Sequence, residues 1–128
     1  MSLLTPVVTD DAPAPISLFS QAQIYNGVVY CSGNIGIDPK TGLLVEGSVT
    51  DRTEQAIRNI AALLEASGSS LKRVIKVNVY LTSMDNFEAM NNGYAKYFSH
   101  PFPSRTCVSV TGLPMGTDVE IECVAAQE

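Results

Sequence analysis

The stretch Pro103–Val110, PSRTCVSV, decides how the chain is read. Its small and β-branched residues alternate in the manner of a strand. Arg105, however, places a permanent charge at its head. The fold has to account for a cation in a segment that otherwise suits an interior.

Working outward, Arg105–Thr111 reads as one strand and Thr117–Ala126 as the next, joined by the loop Gly112-Leu-Pro-Met-Gly116. Upstream, Val74–Leu81 alternates and is β-branched, which predicts a strand. Ser20–Tyr25 and Val28–Ile35 flank Asn26-Gly27, a strong hairpin signal. Asp38-Pro-Lys-Thr-Gly42 is a loop. Thr50 or Asp51 is expected to cap a helix running to about Ser67, with Ala56, Ile57, Ile60, Ala61 and Leu64 as its apolar stripe and Gly68 as its stop. Ser83 is expected to cap a second helix over about Asp85–Phe98, which Gly93 weakens.

The order β-β-α-β-α-β-β predicts an α+β fold: one mixed sheet with both helices on one face. Alternation then assigns the faces. Val29, Cys31, Ile35, Ile75, Val77, Val79 and Leu81 fall under the helices, with Thr106, Val108, Val110, Val119, Ile121, Cys123 and Ala125. The other face takes Tyr30, Ser32, Asn34, Lys76, Asn78, Tyr80, Arg105, Cys107, Ser109, Asp118, Glu120 and Glu122. On this reading Arg105 heads a mixed polar face. Tyr30, Tyr80, Cys107 and Val124 make that face less polar than a solvated one, which favours self-association.

Composition sets outer bounds. At 128 residues and 45% apolar, the chain is expected to form one domain over 1–128, with 1–14 as an extended arm. No apolar run reaches the roughly 18 residues of a membrane span. The start has neither a secretory nor an Arg-rich transit pattern, so the chain reads as cytoplasmic, or as mitochondrial matrix if a presequence has been removed. A net charge of −5 without a basic stripe argues against nucleic-acid binding. The three cysteines, Cys31, Cys107 and Cys123, form no CxxC and read as buried thiols. One histidine, His100, has no ligand-spaced partner, so no metal site is expected.

The chemistry-bearing pair is Arg105 and Glu120. A guanidinium fork matches a carboxylate bidentately. That carboxylate is either Glu120 or Glu122, in a structural ion pair, or a ligand's. The residue types alone leave both open.

The sequence also resembles a known family. Pro103-Ser-Arg-Thr-Cys-Val, Leu113-Pro and Asp118-Val-Glu-Ile-Glu122 are similar to the C-terminal signature of the RidA (YjgF) family. Ser20-Gln-Ala, Cys31-Ser-Gly-Asn-Ile-Gly-Ile-Asp-Pro39, Val74-Ile-Lys-Val and Met84-Asp-Asn-Phe87 with Asn91 resemble its earlier motifs. The likeness runs from about Ala12 to Ala125. It implies a chorismate-mutase-like homotrimer with three clefts between subunits. It implies hydrolysis of reactive 2-enamino and 2-imino acids, such as 2-aminoacrylate and 2-iminobutanoate, to 2-keto acids and ammonia, sparing pyridoxal-phosphate enzymes and needing no cofactor.

Carried over position by position, the resemblance makes Arg105 the anchor of the substrate carboxylate and Glu120 the holder of water and protons. Cys107 would position the water or imine nitrogen through its backbone; covalent catalysis by its thiol is the lesser reading. Ser32 and Gly33 would line the cleft, and Phe87 and Asn91 its rim. Ser17-Leu-Phe19 stands where the family usually has Gly-Pro-Tyr, so Phe19 can pack against a substrate without donating a hydrogen bond. Two other functions remain alternatives: a carboxylate-binding regulatory trimer without turnover, and RNA cleavage, which has been described for some family members.

Overall fold

A computed structural model describes residues 3–16 and 18–128. Ser17, part of the departure at Phe19, lies outside the described residues. The elements in chain order are β1 (Thr5–Val7), β2 (Ala22–Tyr25), β3 (Val28–Asn34), β4 (Ile37–Asp38), β5 (Leu43–Leu44), α1 (Val49–Ala66), β6 (Val74–Leu81), α2 (Phe87–Tyr94), β7 (Ser104–Ser109) and β8 (Val119–Ala126). The fold is α+β, as the order of elements predicted. β1, β4 and β5 are too short to show a pattern in the sequence.

The main sheet has the order β1-β2-β3-β8-β6-β7. Only β6–β7 is parallel, and α2 lies in the connection between them. The β2–β3 hairpin turns at Asn26 and Gly27, with φ of 50° and 76°. This is the left-handed pair a tight two-residue turn demands.

Helix α1 begins earlier than Thr50 or Asp51 would set it. Ser48 is the cap: its Oγ accepts from Asp51 N at 3.4 Å, and Asp51 Oδ2 accepts from Ser48 N at 2.9 Å. Asp51 thus sits three residues into the motif, as the reciprocal partner of a capping box. α1 buries Ile57, Ile60, Leu63 and Leu64 against the sheet, each at 1% exposure or less. Each such side chain contributes about 1.5–3 kcal/mol relative to exposure.

Helix α2 ends at Tyr94, and tighter turns carry the chain on to Phe98. Gly93 is where the two helices touch: a Cβ there would stand 2.9 Å from Thr50 O. The residue that weakens the helix is the one that lets it pack.

Two sheet irregularities overturn part of the face assignment. Between Cys31 and Asn34, β3 carries one more residue than β8, so Asn34 pairs with Ile121 and is buried. A bulge of this kind reverses the alternation, which is why Asn34 leaves the polar face. Between Val74 and Lys76, the β6 register also shifts against β8, leaving Ile75 49% exposed rather than in the core.

The larger correction concerns β7. Arg105 pairs with Val77 and Cys107 with Val79, both fully buried under the helices. Arg105 and Cys107 therefore lie on the helix-covered face, and Thr106 and Val108 lie on the open one. β7 is an edge strand beside the short helix α2, so its helix-side positions need not be apolar. The open face carries Tyr30, Lys76, Tyr80, Thr106, Val108, Glu120, Glu122 and Val124. Among the described residues, no helix is long and apolar enough to cross a membrane.

Candidate functional site

The Arg105 guanidinium reaches out from β7 beneath α2. Its Nη1 donates to Asn91 Oδ1 at 2.8 Å. Its Cζ lies 4.7 Å from the Tyr94 ring centroid and 5.7 Å from that of Phe87. Such cation–π approaches fall within about 6 Å of the ring and hold a guanidinium without neutralising it. Asn91, Tyr94, Ala95, Phe102, Pro103 and Arg105 line an open cleft of about 330 Å³. The structure thus brings Arg105, Phe87 and Asn91 together, although the alternation puts Arg105 on the face away from the helices. It adds Tyr94, three residues beyond Asn91 on α2.

Cys107 sits two residues along on the same face, packed against the core. Burial pushes its thiol up, and the nearby Arg105 offsets this only in part. The thiolate is disfavoured, which argues against a nucleophilic Cys107.

Glu120 lies on the opposite face. It pairs across the ladder with Tyr80, and Glu122 pairs with Asn78. Neither glutamate is an ion-pair partner of Arg105 within the chain; among the described residues the salt bridges are Arg52–Asp118 and Lys96–Glu54. The structural ion pair left open by the sequence is therefore not formed inside one copy. Burial, then the like charge of Glu122, pushes the Glu120 carboxyl up. Tyr80 Oη donates to Glu122 Oε1, and Asn78 Nδ2 reaches the same oxygen at 3.4 Å. That bond, with burial and the glutamates, raises the Tyr80 hydroxyl to about 12.

Gly33 occupies the β3 bulge directly beside Glu120: a Cβ at this position would meet Glu120 Oε2 at 2.7 Å. Only a residue without a side chain leaves that carboxylate where it is. Ser32 Oγ donates to Ser20 O at 2.6 Å, so its proton is already used in holding the start of the hairpin. Phe19, 51% exposed, joins Ser32 and Gly33 around a small cleft of about 60 Å³. Buried Gln21 ties the N-terminal arm there, its Nε2 donating to Thr9 O at 3.0 Å and Pro13 O at 2.9 Å.

The sequence-derived residues thus form two groups. Arg105, Cys107, Phe87 and Asn91 belong to the helix side of one sheet edge. Glu120, Gly33, Ser32 and Phe19 belong to the bulged end of β3 and β8. A third cavity of about 270 Å³, near Leu71, Lys72 and His100, includes neither group. Among the described residues no cluster of three or more His, Cys, Asp or Glu could hold a metal ion.

Comparison with known proteins places these features. The family model described as Endoribonuclease L-PSP matches residues 9–127. Protein HMF1 of Saccharomyces cerevisiae is 46% identical over 127 residues, covering 99% of this chain and 98% of its own. The human 2-iminobutanoate/2-iminopropanoate deaminase is 39% identical over 127 residues, covering 98% and 93%. The crystal structure of E. coli TdcF with bound serine superposes with a TM-score of 0.91 at 31% identity, covering 97% of this chain and 99% of that one. Fold, motif positions and near-complete coverage agree: the chain belongs to the endoribonuclease L-PSP family, the family of the RidA (YjgF) proteins.

Proposed function

We propose that the protein hydrolyses reactive 2-enamino and 2-imino acids, 2-aminoacrylate and 2-iminobutanoate among them, to the 2-keto acid and ammonia. The observation that carries this reading is Arg105: a guanidinium held by a neutral amide and two rings, with no carboxylate paired to it among the described residues. Such a group is set to receive an anion from outside. The human relative bears the name of this deaminase, and the E. coli relative holds serine, a small molecule with a carboxylate.

The chemistry asks little more. An enamine first moves a proton from nitrogen to C3 and becomes the imine; water then adds to the C=N carbon, the C–N bond breaks, and ammonia leaves, so that one water is consumed and no electrons change hands. Glu120, with its raised proton affinity, takes a proton from the water and returns it to the departing nitrogen. The backbone at Cys107 positions the water or the nitrogen, while Phe19, Ser32 and Gly33 bound the cleft. Holding the reactants in register is a large share of the task.

Because Arg105 and Glu120 face opposite ways in one copy, the working unit is proposed to be a homotrimer, with each site shared between neighbours. The open sheet face, with Tyr30, Val108 and Val124 unshielded by a helix, supports this. RNA cleavage, the activity in the family description, fits less well: the open face presents Glu120 and Glu122, and the net charge is −5.

A coupled assay tests the reading. A threonine dehydratase generates 2-iminobutanoate, semicarbazide traps it, and 2-ketobutanoate formation competes with the trap. The native protein should divert flux to the keto acid, and Arg105→Ala should not. If neither does so while both fold, the deaminase reading falls and a binding role without turnover replaces it.

A further inference from the structure

The contacts to Arg105 come from one stripe of α2. Phe87, Met90, Asn91 and Tyr94 follow the i, i+3, i+4, i+7 spacing of a single helix face. Three of them are apolar, and the spacing alone reads as core. Asn91 interrupts the stripe, and the structure shows what it does there: its Oδ1 accepts from Arg105 Nη1 at 2.8 Å, while Met90 Sδ lies 3.9 Å from the same nitrogen. Nη1 is thereby engaged from the α2 side. Among the described residues, no acceptor meets Nε or Nη2, and no carboxylate pairs with the guanidinium.

We infer that Asn91 is a positioning residue that must be neutral: it fixes Nη1 and so offers the Nε–Nη2 edge of Arg105 as the fork for the ligand's carboxylate. The inference rests on the reading above that Arg105 takes that carboxylate, and it assigns Asn91 a task other than touching the substrate at the rim. An amide serves here because it holds one donor without cancelling the cation. An aspartate at the same place would hold Nη1 equally well and would also supply the anion, so the ligand would compete with a carboxylate already in place. Tyr94 and Phe87 complete the same logic. Their π faces steady a cation without neutralising it and keep solvent from part of its surface.

The side-on edge also limits the ligand. A single carboxylate bound through Nε and Nη2 lies in the guanidinium plane, on an edge that Asn91 does not occupy, beside the cleft that Asn91, Tyr94, Phe102 and Pro103 line with Arg105. The edge left free suits one carboxylate of a small ligand.

The test is Asn91→Asp, which changes charge with almost no change of shape, beside Asn91→Leu, which removes the acceptor. Each is read in the imine assay and by calorimetric binding of 2-ketobutanoate to the intact protein. Asn91→Asp should raise KM and the dissociation constant at least about tenfold, the scale of losing one charge-assisted contact, with kcat within about threefold and Tm not lowered. Asn91→Leu should weaken binding severalfold while keeping the cation available, so that binding remains stronger than in Asn91→Asp. An unchanged KM and dissociation constant in Asn91→Asp would overturn the inference. So would a fall in kcat at constant KM, which would put Asn91 at the reacting atoms. If Asn91→Asp fails to fold, unchanged binding in Asn91→Leu overturns it equally. Native protein that binds 2-ketobutanoate but turns nothing over removes the deaminase reading, and the dissociation constants still decide this one.

Discussion

Arg105 and Glu120 stand on opposite faces of one sheet, with β6 between their strands: Arg105 is level with buried Val77, and Glu120 is level with Tyr80 on the open side. Two strand spacings alone separate them by about 10 Å. A small imino acid cannot touch both within a single copy. This one relationship ties the proposed chemistry to assembly.

It yields a complementation experiment. Arg105→Ala and Glu120→Gln should each be inactive alone. Unfolded together in equal amounts and refolded, they should recover about a quarter of native activity, since one site in four pairs an intact arginine with a neighbour's intact glutamate. Mass by light scattering should remain near three chains in every sample. Inactivity of the mixture at native mass would place both residues' contributions within one copy and dismantle the shared site.

Phe19→Tyr tests the departure at the hairpin entrance. Phe19 is half exposed beside Ser32, whose own hydroxyl proton is spent on Ser20 O. A tyrosine would bring a fresh hydroxyl donor to that cleft. We expect kcat/KM for 2-iminobutanoate to rise by a factor of about ten, one hydrogen bond's worth. An unchanged value would mean that position 19 contributes packing alone.

Asp118 anchors α1 to the start of β8. Arg52 donates to its two oxygens from Nε and Nη2, both at 2.8 Å, and this hydrogen bonding, before any other cause, holds the Asp118 carboxyl below its ordinary value of 3.8. A depressed carboxylate stabilises the fold above its unfolded pKa, and that contribution is lost as pH falls through the folded value. Asp118→Asn should therefore cost about 1–2 kcal/mol at pH 7, allowing for partial exposure. The difference in Tm from the native protein should begin to shrink below about pH 4 and go on shrinking as pH falls through the lowered folded pKa. A difference that does not shrink with falling pH would mean that packing, not charge, is what the substitution removes.

Much of this arrangement could be read from the sequence because it depends on local pattern. The hairpin at Asn26-Gly27 and the strand Val74–Leu81 stand where the turn chemistry and alternation placed them. What failed was parity. In Arg105–Val110 either set of alternate residues can face a core, and the more apolar set, Thr106, Val108 and Val110, was the natural choice. An edge strand beside a short helix inverts that logic, since a long cation can lie under α2 with its head at the rim. The bulge at Ser32–Gly33 inverts it again for Asn34, with only a glycine to signal it. The Arg105–Asn91 bond joins residues 14 apart across a helix-to-strand connection. An asparagine inside an apolar stripe was its one trace in the sequence.

Gly33→Ala isolates the glutamate. The backbone at Gly33 is not in the left-handed region, so alanine meets no conformational penalty there. What it meets is Glu120: the new Cβ would lie 2.7 Å from Oε2, 2.8 Å from Cδ and 3.2 Å from Cγ. Those atoms end a flexible side chain, so the carboxylate swings aside and the fold loses little, less than about 1 kcal/mol. The proposed water-holding oxygen, however, moves by the better part of an ångström. Displacements of that size cost catalysis far more than stability. We therefore expect kcat to fall at least about tenfold with KM nearly unchanged, because Arg105 still takes the carboxylate. In a Glu120→Gln background the same substitution should add almost nothing, since its effect acts through the residue already lost. If Gly33→Ala leaves kcat intact at native Tm, the position of the Glu120 carboxylate does not govern the reaction, and its role as the proton carrier is lost with it.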